Sequence, residues 1–261
     1  MKIQNLSIVE EFKKIETQKK ERLIELDLWR GTAVFGMIIY HIFVVNNLLD
    51  LSELNLNSVG FLSIARYVQI SFLLLVGISL SISRIHTKDP KSFYKKQVLR
   101  GLVVGICAFI ITAATKVYIP DQFVFFGILH LISFSIFTLM FLANKRLLSL
   151  LIGIWILMIG FVINVTPMPN FFPWIILGFK VEGLRTLDWF SIFPWTSVIC
   201  FGIFIGTYFE KYLKIRPDFK IMEKSRIVNV LVMMGKNALL IYMIHMPIIL
   251  GFAELYKLLF Y

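Results

Sequence analysis

Two basic side chains fall where a chain built for lipid should carry none. Asp27-Leu28-Trp29-Arg30-Gly31 opens a run of apolar residues that reaches His41. Eleven residues on an α-helix make about three turns and roughly 16 Å of rise, so Arg30 and His41 share one stripe. An ionisable group inside a membrane span costs on the order of 3 kcal/mol, which favours a place facing the bundle interior. The stripe therefore reads as a polar track. A histidine there is matched to proton transfer near neutral pH, its ordinary pKa being about 6.5. An arginine at the mouth is matched to phosphate oxygens, which its planar fork meets with paired hydrogen bonds. Plainer roles stand beside these: a histidine bonded to a backbone carbonyl, an arginine snorkelling to headgroups, and Asp27 as a helix N-cap paired with Arg30.

The elements that hold such residues follow from composition. Of 261 residues, 58% are hydrophobic and only 16% charged, more apolar surface than a water-soluble core of this length can hide. Runs long enough to span are expected at 28–49, 59–83, 98–115, 123–143, 147–165, 189–210 and 237–260. The fold expected is all-α, a polytopic membrane helix bundle of about seven transmembrane helices. Prolines 167, 169 and 173 among aromatics make 166–188 a loop with a shallow or re-entrant segment. Residues 1–27 are expected as a charged cytoplasmic juxtamembrane helix with Glu–Lys pairs at i,i+4, and 28–261 as one transmembrane domain. No apolar leader with a cleavage site precedes the first span. Of the 27 Lys and Arg residues, 22 fall on alternate flanks and 4 on the others, with Arg66 inside the second span within snorkelling reach. The positive-inside rule then puts the amino terminus in the cytoplasm and the carboxyl terminus outside, in a multi-pass protein of the cell membrane.

On that layout His41 and His130 share a level, His245 lies deeper toward the cytoplasmic side, and Arg30 with Asp27 sits at the cytoplasmic mouth. Asp188-Trp189-Phe190 with Trp195 is an acid among aromatics, either an interfacial belt or a platform for a sugar. No phosphate-binding glycine loop, metalloprotease helix motif, serine elbow or cysteine cluster occurs, and no metal is expected. Gly101 with Gly105 and Gly202 with Gly206 have the spacing of close helix contacts. Cys107 and Cys200 lie in apolar runs without ligand spacing.

Four stretches together carry a resemblance: Arg22 through Gly31 with His41 eleven residues after Arg30; Phe126-Gly127-Ile128-Leu129-His130; Leu187-Asp188-Trp189-Phe190 through Trp195; and Gly235-Lys236-Asn237-Ala238 through His245 and Pro247. In order and spacing they resemble the heparan-alpha-glucosaminide N-acetyltransferase catalytic-domain family, related to the acyltransferase-3 group. The resemblance implies an integral membrane acyltransferase that takes an acetyl group from cytoplasmic acetyl-CoA and delivers it to an extracytoplasmic glycan or other envelope acceptor. It implies His41 as general base, with His130 and Asp27 in the catalytic group. Arg30, Asn237 and His245 fall to the acetyl-CoA donor, and Asp188 and Trp195 to the acceptor. The partners expected are acyl-CoA, the acceptor and the bilayer, without nucleic acid. Two rival readings predict otherwise: a small-molecule or ion transporter whose intramembrane histidines relay protons, and an assembly factor that tolerates changes at both His41 and Arg30.

Overall fold

The structure is a computed structural model that describes residues 23–56, 58–166, 171–179, 183, 185–213 and 225–260. Of the charged amino-terminal helix expected over 1–27, residues 1–22 lie outside the described residues, and 24–27 form the first turn of the first long helix. Helices α1 (Ile24–Leu48), α2 (Val59–Ile85), α3 (Pro90–Tyr118), α4 (Ile128–Leu139), α5 (Arg146–Val165), α6 (Phe172–Leu177), α7 (Ile192–Leu213), α8 (Arg226–Lys236) and α9 (Ala238–Phe260) make an all-α membrane bundle. Five of them, α1, α2, α3, α5 and α9, are long and apolar enough to cross a bilayer, and α4 and α7 are shorter apolar helices.

Side-chain pairings give the relative directions. Phe43 meets Phe61, and the Gly36 site abuts Val68, so α1 and α2 run antiparallel. Gly77 lies against Ile199, while Ile78 and Ser81 lie against Gly206, so α2 and α7 run parallel. Gly153 against Phe201 and Gly160 against Pro194 set α5 antiparallel to α7. Ser133 donates to the Gly101 carbonyl and His130 meets Thr112, setting α4 antiparallel to α3. The last helix runs parallel to the first, from Ala238 and Ile241 beside Val34 and Met37 to Lys257, which donates to the Leu49 carbonyl. Leaving aside the short α6 and α8, the helices alternate in direction along the chain.

Three departures from the expected spans have physical causes. The fourth span is short. Its helix has 12 residues, about 18 Å of rise against the roughly 30 Å of a hydrocarbon core, because 123–127 is extended instead. That segment runs beside 186–190, where the Leu187 amide donates to the Gln122 carbonyl and the Phe190 amide to the Phe126 carbonyl. The third helix starts early. Asp89 accepts from the Lys91 and Ser92 amides ahead of Pro90 at the first helical position, so Arg100, counted above among flank charges, lies more than two turns inside α3. The Ser92 hydroxyl and amide hold the Asp89 carboxyl below its usual range. Finally, α8 occupies what sequence assigns to a basic flank. It crosses α1 where Gly235 and Gly31 face one another, a Cβ on either running into the other helix's backbone.

The core is built on similar close approaches. Leu73, Leu80, Leu131, Ile136, Ile199 and Ile203 are fully buried between α2, α4 and α7. Gly202 lies on the Leu74 carbonyl, and Gly206 on the backbone of Ile78, as small-residue spacing requires when backbones touch. Replacing Gly202 with Ala should cost about 1–3 kcal/mol by overpacking, since the obstacle is backbone and cannot yield. Gly60, with open space around its Cβ position, should accept Ala without loss. Thermal unfolding of the two variants in detergent checks the contrast; equal midpoints would show that α2 and α7 are not in backbone contact.

Candidate active site

The bundle brings together two of the four histidines. His41 follows Met37 by one turn on α1, and His245 sits on α9 a turn past Ile241. His245 Nε2 is 3.3 Å from His41 Nδ1, with ring centroids 4.8 Å apart in an edge arrangement. His245 Nδ1 is 2.7 Å from the Tyr242 carbonyl oxygen, and His41 Nδ1 is 2.9 Å from the Met37 carbonyl oxygen. A carbonyl oxygen only accepts, so these bonds assign the protons. His245 donates from Nδ1 and has a bare Nε2. His41 then carries its hydrogen on Nδ1, shared between the Met37 carbonyl and His245. Its lone pair is on Nε2. His245 is buried and His41 half-buried, with Tyr40 and Tyr242 edging the pair.

The expected depth of His245 is therefore corrected: it lies level with His41, not below it. The cause is α8, which takes up the residues before α9 and lets α9 begin beside Val34 and Met37, already inside the bundle.

Tyr242 links this pair to the acidic loop, since it lies within electrostatic range of Asp188. The Asp188 Oδ2 accepts from the Ile128 amide at 3.0 Å, where α4 begins. Gly127 is required there: a Cβ would collide with that carboxylate. Burial pushes the Asp188 carboxyl up to about 6, against the opposing pull of the Ile128 amide. Two residues on, Phe190 packs on Trp195 with centroids 4.9 Å apart, and the Arg66 guanidinium lies 5.2 Å from the Trp195 ring centre.

At the opposite end of α1, Arg30 Nη1 pairs with Asp27 Oδ1 at 2.8 Å and Nη2 donates to Ser79 on α2 at 3.3 Å. Asp27 is not an N-cap; that position is Leu23, and Asp27 lies within the first turn of the helix. Its other oxygen, Oδ2, is buried without a hydrogen-bond partner among the described residues. Arg100 comes within electrostatic range of Arg30, so two guanidiniums approach beside one carboxylate.

Two other candidates lie apart. His130 accepts from the Gly127 amide through Nδ1 at 3.2 Å and meets Thr112 through Nε2 at 3.3 Å, between the rings of Phe109 and Phe126. With Thr112 donating to the Val124 carbonyl, it fastens the extended segment that carries Gly127 and Ile128. It does not touch His41. Asn237 is exposed and donates to the Met233 carbonyl at the end of α8. Sequence reasoning passed over Tyr242 and Arg100. The Asp89-Pro90 start signal, had it been used to begin α3, would have placed Arg100 inside a helix. Among the described residues, no group of three potential metal ligands occurs.

A histidine pair between the first and last long helices, with a guanidinium cluster at the other end, belongs to an integral multi-pass membrane protein whose polar groups are gathered inside the bundle. Residues 22–247 match the family described as heparan-alpha-glucosaminide N-acetyltransferase, catalytic, and the chain is a member of that family of membrane transferases. No curated protein and no solved structure matches.

A carboxyl whose pKa is higher in the folded protein than near 4 in the unfolded chain favours folding most when protonated. Its contribution is complete below about pH 4 and is lost as pH rises through 6. Asp188→Asn, which can still accept from the Ile128 amide, should therefore flatten the fall in melting temperature between pH 4.5 and 7. Melting curves across that range check it; an unchanged slope would show that Asp188 is not the group responsible.

Proposed function

We propose that the protein transfers an acetyl group from cytoplasmic acetyl-CoA to an amine or hydroxyl on an extracytoplasmic acceptor, a glycan of the cell envelope by preference. The single observation that carries this is the bare His41 Nε2, a lone pair held in place by hydrogen bonds to the other ring nitrogen. As the acceptor's nitrogen or oxygen attacks the thioester carbonyl, Nε2 takes its proton. The carbon–sulfur bond then breaks and the proton passes to the leaving thiolate, so that His41 returns to its starting state. His245 orients His41 through the shared Nδ1 hydrogen, the role the third group plays wherever a base is held in one tautomer.

Arg30 would hold the donor's phosphates, oriented by Asp27 and supported by Arg100, since two guanidiniums beside one carboxylate leave a positive surplus that an anion neutralises. The approximately 16 Å between Arg30 and His41 along α1 would be bridged by the extended arm of the donor. Trp195 and Asp188 would meet the acceptor. His130 would act by fastening the segment that carries the Asp188 contact, and Asn237 by ending α8 where α9 must begin. The amino terminus would face the cytoplasm, as the distribution of Lys and Arg directs.

His41→Ala should lower acetyl transfer at least 100-fold while leaving assembly intact, the usual contribution of a positioned base being 10²–10⁴. Radiolabelled acetyl transfer in reconstituted membranes measures it, and transfer at the wild-type rate would remove His41 from the mechanism. Arg30→Gln should raise the KM for acetyl-CoA about tenfold or more and abolish the rise in melting temperature that acetyl-CoA gives the wild type. If the wild type shows no such rise but protonophore-sensitive uptake of a solute, the protein is a transporter.

A further inference from the structure

Arg66 is a guanidinium in a helix long and apolar enough to span, and no carboxylate pairs with it among the described residues. Its surroundings are built rather than accidental. The guanidinium lies over the Trp195 indole, and Phe190 packs on the same indole, so the aromatic support is itself braced. Its Nη1 donates to Gln69 Oε1 at 3.0 Å, one turn along the same helix. An arginine laid over an aromatic ring keeps its edge free for hydrogen bonds. Gln69 occupies one of the five N–H donors. The others meet no partner among the described residues, and Arg66 itself is exposed.

Its height in the bundle matters as much. The Phe43–Phe61 and Gly36–Val68 contacts fix the register of α1 against α2. Interpolating between them places Arg66 within one turn, about 5 Å, of His41 along the axis. Trp195 follows Asp188 by less than two helical turns of chain, and Asp188 is near Tyr242, whose ring lies beside His245. Arg66 therefore stands close to the height of the histidine pair, about one turn toward the Arg30 end, beside Trp195 and the loop that carries Asp188, as a pre-oriented fork with unmet donors.

We propose that Arg66, stacked on Trp195 and held by Gln69, binds an oxyanion carried by the acceptor, so that the enzyme selects an anionic acceptor over a neutral one. This rests on the acyl-transfer reading above for what the selected molecule is used for, but not for the binding itself. A carboxylate, a sulfate or a phosphate monoester all present the oxygens this fork would meet. A lipid headgroup phosphate offers the same chemistry from a different source.

The test uses the full chain in nanodiscs of neutral phosphatidylcholine, with glucosamine and glucosamine 6-phosphate as probes. Binding is read from the shift in melting temperature and from tryptophan fluorescence, and acetyl transfer from acetyl-CoA is read in parallel. The phosphorylated probe should bind at least tenfold more tightly than the neutral one. Arg66→Gln should bring that ratio close to one, and Arg66→Lys, which keeps the charge but loses the fork, should restore part of it. If Arg66→Gln does not fold, inorganic phosphate competing against the phosphorylated probe in the wild type serves instead. Arg66-dependent binding without any acetyl transfer would uphold this proposal while refuting the acyltransferase reading. The proposal is overturned if the wild type shows no preference, if the preference survives Arg66→Gln, or if phosphate fails to compete. It is equally overturned if Arg66→Gln alters only the stability gained on adding anionic lipid, which would make Arg66 a headgroup anchor.

Discussion

Everything at the site depends on the axial register between α1 and α9, because a shift of one residue, 1.5 Å and 100° on either helix, would part the His41–His245 contact. That register is set from the other end by the crossing of α8 on α1. Gly31 and Gly235 lack side chains at the closest approach, so the two backbones meet directly and admit little sliding. The chain then turns at Asn237 and enters α9, whose Ala238, Ile241 and Tyr242 pack beside Val34 and Met37. A short helix that spans nothing thus determines where the last long helix begins and which imidazole faces which.

The second constraint is the unwound start of α4. An apolar stretch that could have continued as helix is instead extended, and its backbone polar groups must be satisfied within the protein. Many of them are: Leu187 and Phe190 amides bond to the Gln122 and Phe126 carbonyls, Thr186 donates to the Phe123 carbonyl, and His130 and Asp188 take the Gly127 and Ile128 amides. The return for a shorter helix is a rigid acidic turn carrying Asp188, Phe190 and, just beyond, Trp195. His130 acquires its place from this arrangement; its two ring nitrogens are both engaged in holding the turn, whereas His41 keeps one nitrogen bare.

Hydropathy made the long helices legible because span length and apolar run length are the same quantity. The glycine pairs were legible too, as spacing alone announces close contact. What sequence could not disclose came from local competition. Extended pairing shortens α4, a contest between helix and cross-chain hydrogen bonds that hydropathy does not register. Arg226, Asn229 and Lys236 dilute α8 until it reads as a basic flank, although it is a packed helix, and from that misreading followed the misplaced depth of His245. Arg30 and His41 were found from one helix by periodicity. That His41 meets His245, 204 residues away, depends on tertiary register and has no signature in either helix alone.

The central claim is that His41 presents an unprotonated Nε2 because its Nδ1 hydrogen is shared between the Met37 carbonyl and His245. Nitrogen-15 spectra of imidazole-labelled protein in lipid, with the four histidines assigned by single glutamine replacements, measure this directly. Both His41 and His245 should show the tautomer protonated at Nδ1, with a one-bond hydrogen on that nitrogen and none on Nε2, and the His41 pattern should change when His245 is replaced. A His41 protonated at Nε2, or one indifferent to the loss of His245, would contradict the account.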